Sequence, residues 1–180
     1  MLGAVLEVVA AAIVRSGRLL VVSKRSADHV FYLPGGKPEP GEPERETLAR
    51  ELREELGAGL LTAEPFAVVE DVAALERVPM RMTVLRATID GVPEPAAEIA
   101  ALAWTDGGDD GLLLAPAVRH QVVPRLVEAG LLAAGGSVAD DGAVRAAKAG
   151  ELRQLDPAVR ASPELVAELW FHEGTPTEDG

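Results

Sequence analysis

The amino-acid sequence predicts an α/β domain, a layered sandwich in which helices cover a β-sheet. Apolar, β-branched runs precede and follow one strongly patterned helix, which is the element order of a layered α/β fold. The first of these runs is apolar at nearly every position, as in strands covered on both faces. Nearly half of the 180 residues are apolar, which indicates a globular chain with a real core.

Six strands are predicted from runs of apolar and β-branched residues bounded by turn-forming residues. The first two form a hairpin, because a short turn containing Gly17 joins them. Arg25 to Val30 is polar and predicts a loop. The predicted strands are Glu7 to Val14, Arg18 to Lys24, Phe31 to Leu33, Phe66 to Val72, Met80 to Ile89 and Ile99 to Trp104.

The central helix is predicted over Pro43 to Leu56. Proline suits a first helical position, where its missing N–H costs nothing. Gly57 suits the position just past the helix end, where a left-handed conformation is usual. Leucines recur every four residues and form a stripe that faces a core. A second helix is predicted over Val118 to Leu132, with a kink at Pro124.

The polar face of the central helix carries Glu51, Glu54 and Glu55, whose spacing brings the carboxylates together. Like charges one turn apart, and anions in the last turn, both oppose helix stability. A solvated acidic face is the common explanation for such residues. The alternative is that hard carboxylate oxygens gather there to bind a divalent cation such as Mg²⁺.

The spacing of this segment resembles the Nudix box, G-x5-E-x7-R-E-U-x-E-E-x-G-U, where U is aliphatic. The one departure is Ala58 at the final aliphatic position. The resemblance implies a Nudix fold over residues 1–132, in which a mixed β-sheet is sandwiched between helices. It also implies cleavage of a phosphoanhydride bond in a nucleoside diphosphate-linked substrate. The matching residues are Gly36, Glu42, Arg50, Glu51, Leu52, Glu54, Glu55 and Gly57.

The resemblance also implies roles for individual residues. Glu51, Glu54 and Glu55 would hold Mg²⁺ or Mn²⁺, together with a backbone carbonyl at Gly35, and Glu54 is a catalytic candidate as well. Arg50 is expected to pair with a helix carboxylate and orient it. Glu42, at the helix start, is expected either to stabilise the helix dipole or to touch the metal.

The catalytic base varies across the family and often lies on a loop before a late strand. Glu98 stands in the corresponding place, with Glu94 as a second choice, and an exposed loop carboxylate is the alternative reading. Because neighbouring strand residues point to opposite faces, one of Phe31 and Tyr32 is expected in the core and the other near a nucleobase. The substrate-binding candidates are Lys24, Arg25, Tyr32 and Lys37.

The sequence downstream of the box lacks the secondary marks of several Nudix subfamilies. The ADP-ribose type has a Pro where this chain has Asp71-Val72-Ala73. The sequence motifs of the dinucleoside polyphosphate, NADH and coenzyme A subfamilies are also missing. By elimination the chain resembles a (d)NTP pyrophosphohydrolase that sanitises nucleotide pools. A nucleotide-sensing module without turnover, and an interaction protein with a solvated acidic helix, are the alternatives.

Composition limits the partners and the compartment. The net charge of −12 argues against duplex nucleic acid and anionic membranes. The sequence contains no cysteine, which excludes disulfide frameworks and suits a reducing cytoplasm. Residues 133–180 predict a C-terminal helical extension with a frayed tail. This extension is expected to pack on the parent domain, cover the cleft or form a homodimer.

Overall fold

The computed structural model describes residues 5–73, 77–108 and 111–133. The predicted C-terminal extension beyond Ala133, and its proposed homodimer contact, lie outside the described residues. None of the helices in the described ranges is long and apolar enough to cross a membrane.

The described residues form eight strands and two α-helices. The strands are β1 (Leu6–Ala12), β2 (Val14–Arg15), β3 (Arg18–Lys24), β4 (Ala27–Tyr32), β5 (Gly35–Gly36), β6 (Leu60–Val72), β7 (Pro79–Ile89) and β8 (Ile99–Thr105). The helices are α1 (Glu44–Leu56) and α2 (Val123–Glu128), and the π-helical turn Val118–Val122 leads into α2.

The strands form two sheets of four. The first is mixed and has the order β5-β1-β7-β6, with β1 parallel to β7 and antiparallel to β5. In the second sheet, β3 pairs antiparallel with β2, β4 and β8. The predicted mixed sheet is therefore present, and a second, antiparallel sheet accompanies it.

A separate apolar core lies on each of the two faces of the sheets. Leu48, Leu52 and Leu56 of α1 are completely buried in one core with Val9. The core on the other side contains α2 and Ala10. Because alternate residues of β1 enter different cores, the prediction of a strand covered on both faces is confirmed.

The boundaries of α1 nearly match the prediction. Pro43 lies just before the helix with an extended backbone (φ −65°, ψ 150°), so the helix begins at Glu44. Gly57 has the expected left-handed conformation (φ 62°), and its N–H donates to the Arg53 carbonyl at 3.1 Å. The helix end at Gly57 therefore sets the positions of Glu54 and Glu55 in the last turn of α1.

Three predicted boundaries were wrong, each for a local reason. The predicted loop at Arg25–Val30 is mostly strand, because a tight turn at Arg25 and Ser26 is enough to reverse the chain into β4. Strand β6 begins at Leu60 and passes through Pro65, which is tolerated at a register shift on an edge strand. The helix ahead of Pro124 is π-helical, and α2 ends at Glu128.

Candidate active site

A cleft of about 440 Å³ runs along one side of α1. The box carboxylates and the glycines of β5 lie at one end, and apolar side chains from β1 and β7 line the rest. Arg50, behind the carboxylates, and Arg25, exposed at the β3–β4 turn, are not part of the lining. The predicted site residues that the cleft brings together are Lys24, Tyr32, Gly35, Lys37, Glu51, Glu54, Glu55 and Glu98.

Glu55 is the buried member of this set, with 2% of its surface exposed. The Gly35 N–H donates to its Oε2 at 3.0 Å. Its Oε1 accepts no hydrogen bond and lies 3.6 Å from the Lys24 ammonium. Burial raises the pKa of Glu55 to about 7, although the Gly35 N–H and Lys24 act in the opposite direction.

The two glycines of β5 allow this close packing. Gly35 has φ +144°, and a Cβ there would collide with the Val9 carbonyl and the Ala10 backbone of β1. A Cβ on Gly36 would collide with the Glu51 carboxylate. The glycine pair therefore lets the loop pair with β1 and lets Glu51 lie directly on the loop.

Arg50 connects the loop to the helix. Its Nε and Nη2 donate to the two carboxylate oxygens of Glu42 at 3.0 and 2.9 Å. Its Nη1 donates to Glu51 Oε1 at 2.7 Å, and its Nη2 also donates to the Lys37 carbonyl at 3.1 Å. The hydrogen bond from Arg50 lowers the pKa of Glu42 to about 2. Arg50 thus orients Glu51, whereas Glu42 pairs with Arg50.

Lys24 joins the buried carboxylate to the candidate base. Its Nζ lies 2.5 Å from Glu98 Oε1, and Glu98 is 59% exposed. Partial burial opposes the charge of Lys24, but the hydrogen bond to Glu98 and the nearby carboxylates raise its pKa. The Arg25 N–H donates to the Glu98 carbonyl and the Ala96 N–H to the Glu55 carbonyl, each at 2.8 Å, so backbone bonds fix the Glu98 loop.

The donor set suits a hard divalent cation. Glu55 Oε1 is a buried oxygen without a hydrogen-bond donor, and Glu51 and Glu54 line the same end of the cleft. Within the described ranges, no three His, Cys, Asp or Glu side chains stand close enough to enclose an ion. Glu54 is 58% exposed, so its side chain has room to turn toward Glu55.

Strand β4 ends at the cleft with two aromatic residues, and these lie on opposite faces of the strand, as expected. Phe31 is 1% exposed and belongs to the core, whereas Tyr32 is half-buried and lines the cleft. Glu94 is exposed and lies outside the described lining. The apolar part of the cleft was not predicted from the sequence, because apolar residues of β1 and β7 are equally typical of an ordinary buried core.

Comparisons with known proteins agree with this geometry. A family model described as NUDIX domain matches residues 5–110. The CTP pyrophosphohydrolase of Escherichia coli (strain K12) is 46% identical over 55 residues, which are 29% of this chain and 41% of that protein. The match thus spans less than half the length of that relative.

Two solved structures extend the similarity. A MutT NUDIX hydrolase from Burkholderia pseudomallei is 32% identical with a TM-score of 0.51, over 56% of this chain and 82% of that chain. The ORF135 protein of E. coli is 30% identical with a TM-score of 0.53, over 68% of this chain and 86% of that chain. Since the family model covers more than half of the sequence and the box residues gather at one cleft, the chain belongs to the Nudix hydrolase family.

Proposed function

We propose that this protein is a cytoplasmic, metal-dependent pyrophosphohydrolase that converts a nucleoside triphosphate, including oxidised (d)NTPs, into the monophosphate and pyrophosphate. The observation that carries the proposal is the buried Oε1 of Glu55, which accepts no hydrogen bond. Glu55 lines the cleft together with two further box carboxylates, Glu51 and Glu54. A buried carboxylate whose charge is only partly compensated is costly, so its presence at a cleft favours a bound cation.

The chain's own groups prepare this end of the cleft for a phosphate chain. Mg²⁺ or Mn²⁺ held by Glu51, Glu54, Glu55 and the Gly35 carbonyl would neutralise the phosphate oxygens and make water more acidic. Arg50 keeps Glu51 turned toward the loop, and the Gly35 N–H fixes the other oxygen of Glu55. Catalysis in this proposal consists mainly of positioning and charge compensation.

Two exposed carboxylates are the proposed proton acceptors for the attacking water. Glu54 and Glu98 are 58% and 59% exposed and both line the cleft, so water reaches each of them. Lys24 holds Glu98 in place, and we assign Lys24 and Lys37 to the non-bridging oxygens of the substrate. Arg25, exposed at the turn, is proposed only for the outer end of a long phosphate chain.

The test is a panel of nucleoside triphosphates incubated with Mg²⁺ or Mn²⁺ at mildly alkaline pH, with release of pyrophosphate measured. We expect Glu55→Gln to lower kcat by orders of magnitude. Glu46→Gln is the matched control, because Glu46 is an exposed carboxylate in the first turn of α1 and outside the described lining.

Two outcomes would contradict the proposal. One is full metal-dependent activity in Glu55→Gln. The other is tight nucleotide binding by the wild-type protein without release of pyrophosphate, which is the behaviour of a nucleotide-sensing module.

A further inference from the structure

Lys24, the last residue of β3, connects two carboxylates at one end of the cleft. Its Nζ lies 2.5 Å from Oε1 of Glu98 and 3.6 Å from Oε1 of Glu55. The two carboxylates differ in environment, because Glu98 is 59% exposed and Glu55 is 2% exposed. A single ammonium group therefore serves one carboxylate in solvent and one in the interior.

The contact between Lys24 and Glu55 is electrostatic and leaves the carboxylate oxygen open. A separation of 3.6 Å is too long for a hydrogen bond, and Glu55 Oε1 accepts none. The Gly35 N–H donates to the other oxygen of the same carboxylate. The ammonium thus compensates part of the charge of Glu55, while the lone pairs of Oε1 remain available to a metal ion.

A divalent cation on Glu55 Oε1 has to compete with this ammonium group. The ion and Lys24 carry charges of the same sign, and like charges repel more strongly where water is largely excluded. The four-carbon stem of Lys24 is flexible, so the ammonium can move while the backbone of β3 stays in place. In the empty cleft, Lys24 therefore opposes the binding of a metal ion that arrives by itself.

A nucleotide supplies Lys24 with a different partner. Lys24 lines the end of the cleft where Lys37 and Glu54 also stand, and a lysine ammonium is a common phosphate ligand. The hydrogen bond to Glu98 keeps the ammonium at the cleft when it leaves Glu55. The charge that repels a metal ion alone is then the charge that binds the phosphates.

We propose that Lys24 is an exchangeable counter-ion, which compensates Glu55 in the empty cleft and moves to the phosphates when nucleotide and metal bind together. The inference rests on the proposed function in taking Glu55 as a metal ligand and a nucleotide as the second ligand. Lys24 then weakens the binding of metal alone and strengthens the binding of nucleotide with its metal. A lysine that only contacted phosphate would have the second effect alone, and one that only held the site in shape would strengthen both.

Lys24→Met tests the two effects, because methionine keeps the apolar stem and removes the charge. The Kd of Mn²⁺ alone is measured at pH 8 by electron paramagnetic resonance. The Kd values of the α,β-methylene analogues of ATP, CTP, GTP and UTP are measured by calorimetry in saturating Mg²⁺. We expect Lys24→Met to bind Mn²⁺ at least about fivefold more tightly than the wild-type protein, and the analogues at least about fivefold more weakly.

Further variants control for charge and for folding. Arg53→Met removes the same charge from an exposed residue of α1 outside the described lining, and it should leave both Kd values nearly unchanged. Lys24→Arg keeps the charge and should bind Mn²⁺ as weakly as the wild-type protein. If circular dichroism shows that Lys24→Met does not fold, Lys24→Gln replaces it, because glutamine is uncharged and can still donate a hydrogen bond to Glu98.

Three results would overturn the inference: unchanged or weaker Mn²⁺ binding in Lys24→Met, an equal gain in Arg53→Met, or unchanged binding of the analogues. Release of pyrophosphate from the corresponding nucleoside triphosphates is followed separately. Opposite changes of the two Kd values in Lys24→Met, without any release by the wild-type protein, would refute the proposed function alone.

Discussion

At the scale of one residue, Glu55 is costly to stability in a way that its proposed role as a metal ligand would explain. Its carboxylate is 2% exposed, and its charge is only partly compensated by Lys24 at 3.6 Å. The box spacing identified Glu55 as a ligand candidate, but the prediction did not include its burial. A signal was available, because Glu55 stands three residues after Leu52 and so borders the apolar stripe of α1.

The first prediction concerns the pH dependence of stability in metal-free protein. Folding raises the pKa of Glu55 from 4.5 to about 7, so the folded state keeps its proton when the unfolded chain has lost it. The contribution of Glu55 to stability is therefore greatest below pH 4.5 and falls as the pH rises toward 7. Glu55→Gln removes this loss and should raise the free energy of unfolding at pH 8 by up to about 3 kcal/mol.

Thermal or urea unfolding at pH 5 and pH 8 measures the effect. Glu55→Gln should gain stability mainly at the higher pH, and Glu46→Gln at neither. Mg²⁺ or Mn²⁺ should stabilise the wild-type protein more at pH 8 than at pH 5, because the ionised carboxylate binds the cation. A gain of equal size at both pH values would show that the charge of Glu55 is not its cause.

At the scale of the element, the loop and helix of the box act as one unit. Arg50 bonds both oxygens of Glu42, Glu51 and the Lys37 carbonyl, and Thr47 Oγ1 donates to Glu42 at 3.0 Å. The expected pairing of Arg50 with a helix carboxylate is present. Glu42 was predicted to stabilise the helix dipole or to touch the metal. Its pairing with Arg50 was not predicted, because eight residues separate the two and only the folded loop brings them together.

The second prediction is that Arg50→Lys lowers kcat by roughly 10- to 100-fold, the usual cost of losing a group that orients a metal ligand. Lysine cannot donate to Glu42 in a bidentate way and hold Glu51 at once. Because lysine keeps a positive charge beside Glu42 and Glu51, we expect the free energy of unfolding to change less than kcat does. Steady-state kinetics and urea unfolding separate the two effects.

A double-mutant cycle with Glu42→Gln completes this test. Expressed as changes in activation free energy from kcat, the effect of the double mutant should be smaller than the sum of the two single effects. The reason is that both substitutions remove the same hydrogen-bonded pair. Fully additive effects would show that Arg50 and Glu42 act independently.

The third prediction concerns Gly36, whose Cβ position is filled by the Glu51 carboxylate. Gly36→Ala should displace Glu51 and weaken metal binding, while the protein still folds. Gly41→Ala is the control: Gly41 has φ +79° and open space around its Cβ, so that variant carries backbone strain only. Mn²⁺ titration followed by electron paramagnetic resonance compares the two, and equal Mn²⁺ affinities would contradict the prediction.

At the scale of the whole molecule, the order of elements and the carboxylate end of the cleft could be predicted from the sequence. Period-two and period-four patterns set the strands and α1, and the box spacing located Glu51, Glu54 and Glu55. The extent of β6 could not be predicted, because its first half is largely exposed and contains Pro65. The apolar part of the cleft could not be predicted, because it depends on the register between β1 and β7, which are far apart in sequence.

The fourth prediction follows from the position of β6, thirteen residues long, at the edge of the mixed sheet. Leu61 and Val68 are 57% and 47% exposed there, and Glu64 and Glu70 are exposed beside them. Long apolar edges favour pairing between molecules, and charges oppose it. We expect light scattering to rise as the pH falls toward about 4.7, the isoelectric point of the sequence, where the net negative charge that keeps molecules apart is lost.

Leu61→Lys should reduce this scattering. Val92→Lys adds the same charge at a loop residue that is 80% exposed and away from the edge, so it serves as the control. An equal reduction by both variants would assign the effect to net charge and not to the β6 edge.

The β6 edge also means that the oligomeric state in solution should be measured at more than one ionic strength. Salt shortens the range of repulsion between chains of net charge −12, to about 3 Å at 1 M ionic strength. A dimer seen only in concentrated salt would then be joined edge to edge through β6 and would dissociate in Leu61→Lys. A dimer that persists at low salt and in this variant would depend on another surface, so ionic strength is the variable that separates the two kinds of assembly.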